Sequence, residues 1–173
     1  MKNLLAKIIA PLTPALLAAA SASPAPNFTA HNQDGKEIRL SDHKGMYVLL
    51  YFYPKDDTPG CTKEACEFRD RYSEIKKLNT VIYGISRQDG ESHKKFIAKH
   101  KLPFDLLVDH EGKIGESFGV GSIPVVGAIF GLSKRQSVLI GPDGNILKFY
   151  ETVDPKGHVE EVIKDIQNAS AKK

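Results

Sequence analysis

The chain has 173 residues, 41% hydrophobic and 26% charged, with a formal net charge of +3. That is one domain of ordinary globular composition; it excludes wholesale disorder and collagen-like repeats, and the small, evenly spread charge argues against a nucleic-acid partner. Two cysteines cannot make a disulfide scaffold, and without an apolar run of roughly 20 residues neither a spanning helix nor stable membrane association is expected.

Residues 1–22 have the three-part pattern of a secretory signal peptide. Lys2 and Lys7 lead, Ile8 to Ala20 is apolar, and Ala20-Ser21-Ala22 has the form of a cleavage site. The expectation is export to the periplasm or its equivalent. Pro11 and Pro14 interrupt the run, and a frayed N-terminal tail on a cytoplasmic protein is the alternative. No cysteine follows, so no lipoprotein anchor is expected. Removing the segment takes both lysines and leaves the rest nearly neutral. Residues 23–26 read as a short extended linker.

The domain spans 27–168. Asn27–Ala30 and Glu37–Leu40 flank the turn signal Asp34-Gly35. Tyr47–Tyr53 is a continuous apolar run, which predicts a strand buried on both faces, and Pro54 ends it. From Cys61 on, Ala65, Phe68, Tyr72 and Ile75 mark one helical face. Val81–Ile85 is a second strand, Glu91–Lys101 a helix with Phe96 and Ile97 inward, Leu106–Val108 a short strand and Lys113–Phe118 a helical turn or two. Residues 119–131 are rich in Gly and apolar side chains and are expected to pack inward. Ser137–Ile140 and Ile146–Tyr150 form a hairpin over Pro142-Asp143-Gly144. Val159, Val162, Ile163 and Ile166 mark a last helix, with 169–173 a frayed tail. Alternating strands and helices predict an α/β domain with a mixed central sheet flanked by helices. Nucleotide-binding and serine-hydrolase motifs are absent.

Chemistry concentrates in the loop after the first buried strand, where α/β sheets usually place their sites. Thr58 suits an N-cap and Pro59 the first helical position, which puts Cys61 third. There its sulfur meets unpaired N–H groups and the positive helix end, which favour the thiolate. A small buried hydrophobe is the plainer alternative. Cys66 follows five positions on. An ideal helix separates the two Cα atoms by roughly 8–9 Å, whereas a disulfide needs less than about 7 Å. A permanent bridge is therefore not expected, and a transient one requires the first turn to unwind. A zinc pair lacks matched partners among the scattered histidines.

Pro54-x-x-x-Thr58-x-x-Cys61 resembles the peroxiredoxin signature. The run YFYPKDDTPGCTKEACEFRD resembles the bacterioferritin-comigratory-protein or peroxiredoxin Q branch, as do GISRQDGESHKKFIAKHKLPFDLLVD and GLSKRQSVLIGPDGNILKFY. The resemblance covers about residues 25–168. It implies a thioredoxin-like fold and a thiol peroxidase that needs no metal or other cofactor. Cys61 would attack the hydroperoxide, Thr58 would hydrogen-bond the sulfur and the peroxide oxygen, and Pro54 would shield the thiolate. Arg135 would stabilise the charges, Glu64 would orient Arg135, and Cys66 would resolve the sulfenic acid to an intramolecular disulfide. Thioredoxin or a similar dithiol would then reduce it, and the protein is expected to act as a monomer.

Each role has a plainer alternative: Thr58 as a cap, Pro54 as a strand terminator, Arg135 as a solvated cation, Glu64 as a dipole partner. Arg87 reads as structural or surface. Ile123-Pro124 faintly echoes a thioredoxin cis-proline motif, but no Cys-x-x-Cys accompanies it. A disulfide reductase or isomerase and a redox-sensing holdase are the readings from other classes.

Overall fold

The computed structural model describes residues 23–125 and 131–171. In chain order it holds strands β1 (Thr29–Asn32), β2 (Glu37–Arg39) and β3 (Tyr47–Phe52), helices α1 (Pro59–Asp70) and α2 (Tyr72–Lys77), strand β4 (Thr80–Ser86), helix α3 (Gly90–His100), strand β5 (Leu106–Val108) and helix α4 (Lys113–Ser117). Strands β6 (Ser122–Ile123), β7 (Leu132–Ser133), β8 (Gln136–Ile140) and β9 (Ile146–Tyr150) follow, and helix α5 (His158–Ser170) closes the chain.

The main sheet runs β2-β1-β5-β4-β3-β8-β9. β3 lies at its heart, parallel to β4 and antiparallel to β8. All six of its residues are buried, because alternate side chains feed two cores. Leu49, Tyr51 and Tyr53 point to a layer with Phe68 of α1, Ile75 of α2, Phe96 of α3 and Val162, Ile163 and Ile166 of α5. Val48, Leu50 and Phe52 point to the other face, covered by Phe28, Ile114 and Phe118. Helices thus flank a mixed sheet, as the alternation of elements predicts.

Gly35 holds the first turn at φ 77, a left-handed conformation that a side chain would resist. The segment 23–26 is extended but docked: Ala25 N–H donates to the Gly144 carbonyl at 2.9 Å, and Ile146 N–H to that of Ser23 at 2.8 Å.

Three expectations need correction. The single helix expected from Cys61 to Ile75 breaks at Arg71 (φ −105, ψ 9), whose side chain binds Glu74 and Glu160 instead of extending the helical face. The expected fray at 169 is absent through Ser170, whose hydroxyl donates to Tyr47 Oη at 3.1 Å. The apolar loop packs inward only in part: Val120 lies against the core, but among the described residues β6 and β7 pair only with each other, and Ile123 and Val125 are 44% and 39% exposed. Among the described peptide bonds none is cis, that before Pro124 included. Residues 1–22, with the expected leader, residues 126–130 within the apolar loop and residues 172–173 lie outside the described residues.

Candidate active site

The parallel pairing of β3 with β4 carries the chain to the carboxyl edge of the sheet, and Pro54, half-buried, turns it there. The loop that follows is anchored by Asp56. Its carboxylate accepts from Tyr53 Oη at 2.7 Å and Ser92 Oγ at 2.6 Å, and lies 2.9 Å from His93 Nδ1. Burial alone would push the Asp56 carboxyl up; the bonds from His93, Ser92 and Tyr53 outweigh it and hold the group below the usual carboxylate range. Residue patterning did not single out Asp56 or His93, because neither interrupts an apolar period.

Thr58 takes the N-cap position in extended backbone (φ −90, ψ 152), with Pro59 first in α1 and Cys61 third. Two of the bonds expected of its hydroxyl, to the helix start and to the sulfur, are not seen in this structure. It makes no capping bond, and its proton goes to the Lys55 carbonyl at 3.0 Å rather than to sulfur. A hydroxyl engaged as donor to the backbone keeps its lone pairs for another donor.

Cys61 is buried, at 1% exposure, and free. Its partner comes from the far side of the sequence. β3 pairs antiparallel with β8, Phe52 opposite Gln136, so the residue before Gln136 stands beside the helix start. That residue is Arg135. Its Nη2 donates to Cys61 Sγ at 3.2 Å, and its Nη1 donates to Glu64 Oε2. Gln136 fixes the approach, accepting from Gly121 N–H at 2.8 Å and donating to the Glu151 carbonyl at 3.2 Å.

Glu64 is fully buried, one turn below Cys61. Burial pushes its carboxyl up to about 7, against the pull of Arg135. Burial also works against the charge on Arg135, but Glu64 and Cys61 outweigh it and keep the guanidinium firmly charged. Glu64 Oε1 and the Tyr51 hydroxyl are both buried, and among the described residues neither has a hydrogen-bond partner. One cation thus serves a carboxyl and a thiol at once, in a setting where its field is little screened.

Cys66 is elsewhere. It lies midway along the unbroken α1, half-buried and free, so the helix holds the two cysteines apart. Arg87 packs its guanidinium where a Cβ on Gly112 would sit, which fits the structural reading. Among the described residues no three His, Cys, Asp or Glu side chains converge as metal ligands.

The arrangement is a buried thiol at a helix N-terminus, bound by an arginine that a buried glutamate orients. The sequence profile of the AhpC/TSA family matches residues 22–149. The chain belongs to the AhpC/TSA family. It is 42% identical over 149 residues to Peroxiredoxin Bcp of Bacillus subtilis, covering 86% of this chain and 95% of that protein. It is 46% identical over 145 residues to a chloroplastic Peroxiredoxin Q of Triticum aestivum, covering 83% of this chain and 64% of that longer protein. The fold matches Peroxidoxin BcpB of Mycobacterium tuberculosis with a TM-score of 0.78 at 29% identity, over 85% of this chain and 96% of that one. It also matches the bacterioferritin comigratory protein of Xanthomonas campestris, whose structures concern alkyl peroxide reduction, with a TM-score of 0.76 at 28% identity, over 83% and 92% of the two chains. The AhpC/TSA chain therefore has the thioredoxin-like peroxiredoxin fold on the Bcp and Peroxiredoxin Q branch, a branch of thiol peroxidases acting on hydroperoxides.

Proposed function

We propose that Cys61 is the peroxidatic thiol and Cys66 the resolving one, in a monomeric enzyme that reduces hydrogen peroxide and organic hydroperoxides. The observation that carries the reading is the 3.2 Å bond from Arg135 Nη2 to Cys61 Sγ. It places a permanent cation on the sulfur that must be a thiolate to attack. The thiolate takes the terminal peroxide oxygen, the O–O bond breaks, and the alkoxide or hydroxide leaves and collects a proton. Arg135, charged throughout, faces the negative charge as it moves from sulfur to the leaving oxygen. Glu64 holds the guanidinium in place, the Thr58 hydroxyl has lone pairs for a peroxide proton, and Pro54 closes the strand end beside the loop. Cys66 then condenses with the Cys61 sulfenic acid, releasing water, and thioredoxin or a similar dithiol restores both thiols.

Cys61→Ser should abolish peroxide consumption coupled to a thioredoxin system, and retained activity would remove the assignment. Cys66→Ser should form one sulfenic acid and then turn over poorly, whereas normal turnover would show that another thiol resolves. An insulin-reduction assay separates this reading from a disulfide reductase, for which the peroxidase would be idle.

We also propose that residues 1–22 direct export and that the mature enzyme makes no stable membrane association. A full-length chain expressed in a bacterial host should appear in the periplasm shortened by about 22 residues. N-terminal sequencing that starts at Met1 in the cytosol would reject export.

A further inference from the structure

A second charged cluster surrounds the other cysteine. Cys66 Sγ lies 4.0 Å from Nδ1 of His100, the last residue of α3. The second ring nitrogen, Nε2, is 3.0 Å from Oδ1 of Asp57, whose Oδ2 accepts from Lys99 Nζ at 2.6 Å. An ionised carboxylate only accepts, so the hydrogen-bond partners assign the proton of a neutral ring to Nε2. That leaves the lone pair of Nδ1 facing sulfur. The ring is kept in place by the edge of Phe96, with centroids 5.1 Å apart. Arg69 donates to the His100 carbonyl at 2.8 Å, and its guanidinium lies within electrostatic reach of Cys66. Asp57 adopts φ 58, a left-handed conformation that Asp tolerates better than most residues, and from there its side chain reaches both Lys99 and His100.

The two cysteines therefore have different help. Cys61 has a helix N-terminus and Arg135. Cys66, in the middle of the same helix, has no dipole end, and only a thiolate is nucleophilic. We infer that His100, oriented by Asp57, is the general base that deprotonates Cys66 for disulfide formation. The inference rests on the reading of Cys66 as the resolving thiol.

The step balances as follows. Nδ1 of His100 takes the proton from Cys66 Sγ while α1 is still wound. The first turns then open, and the thiolate electron pair forms the S–S bond at Cys61 Sγ. The Cys61 S–O bond breaks and hydroxide departs with its electron pair. Hydroxide and the proton carried by His100 make water, directly or through solvent. Cys66 sulfur is oxidised and the sulfenyl sulfur reduced, so one thiol and one sulfenic acid give one disulfide and one water.

The test is a single turnover with hydrogen peroxide, following Cys61 oxidation and disulfide formation separately by quenched mass spectrometry. His100→Gln keeps a donor for Asp57 but has no base. It should leave the first phase within about twofold and slow the second on the order of 10²-fold. Free imidazole should restore the second phase in His100→Gly, which a merely structural role would not allow. Asp57→Asn, at an exposed site, should slow the second phase less. In the reduced protein, iodoacetamide should label Cys66 more slowly in His100→Gln than in the parent. Disulfide formation at the parent rate in both His100→Gln and Asp57→Asn would overturn the inference while leaving Cys66 the resolver. If the parent itself joins Cys61 to no Cys66, the resolving assignment fails first, and the base assignment with it.

Discussion

A Cβ on residue 60 would lie 3.1 Å from Nη2 of Arg135, the nitrogen that binds Cys61. Glycine between Pro59 and Cys61 leaves that approach open. Gly60→Ala should push the guanidinium by a few tenths of an ångström and slow peroxide reduction by roughly two- to tenfold, with urea stability within about 1 kcal/mol of the parent. Unchanged peroxide kinetics would mean that the arginine has slack at this contact.

Arg135→Ala removes the charge from the sulfur and should slow peroxide attack by on the order of 10²-fold or more, as the loss of one oxyanion donor does. It also strands Glu64, which is fully buried, at a cost of about 3 kcal/mol where the carboxyl is ionised. Adding Glu64→Gln should recover most of that stability and none of the rate. Stopped-flow peroxide consumption and urea unfolding on both variants separate the two effects. A rate within twofold of the parent would make Arg135 a bystander.

Two buried groups should tilt stability in opposite directions with pH. Burial raises Glu64 to about 7, so the fold holds this proton more tightly than the unfolded chain. Its contribution is full below about pH 4.5 and is lost as pH rises through about 7. Burial lowers His158 to about 4, its Nε2 lying 3.0 Å from Ser137 Oγ. Its contribution is full above about pH 6.5 and is lost as pH falls towards 4. Between pH 4.5 and 6.5 the two offset each other. Glu64→Gln should therefore make stability rise with pH, and His158→Gln should make it fall, each by on the order of 2–3 kcal/mol across its window. Urea midpoints at three pH values check both slopes, and parallel curves for parent and variants would refute them.

Disulfide formation between Cys61 and Cys66 must unwind the start of α1, since an intact helix keeps the Cα atoms roughly 8–9 Å apart. Amide exchange at residues 65–68 should be faster in the oxidised protein than in the reduced one. The bond should form at a rate independent of protein concentration, and oxidised protein should stay monomeric on non-reducing gels. A concentration-dependent, disulfide-linked dimer with unchanged exchange would point to a bond between chains instead.

Much of this molecule was legible in its residues because the signals are local. The all-apolar run at Tyr47–Tyr53 predicts a doubly covered strand, and β3 is one, since an uninterrupted run can be stable only with protein on both faces. Thr58, Pro59 and Cys61 announce a helix start with a thiol in its third position, because the residue preferences of a helix start are set by neighbours along the chain, even though the Thr58 hydroxyl makes no capping bond here. What the residues could not give is whatever depends on distant partners. The break at Arg71 held by Glu160, and the exposure of Ile123 and Val125, are decided by packing that no local pattern encodes. Arg135 and Glu64 were legible only through resemblance. Their meeting with Cys61 follows from the antiparallel register of β3 and β8, which brings together residues more than seventy positions apart. Asp57, His100 and Cys66 carried no joint signal at all. They come from a loop and two helices, and only the packing of α3 against α1 sets an imidazole beside the second sulfur.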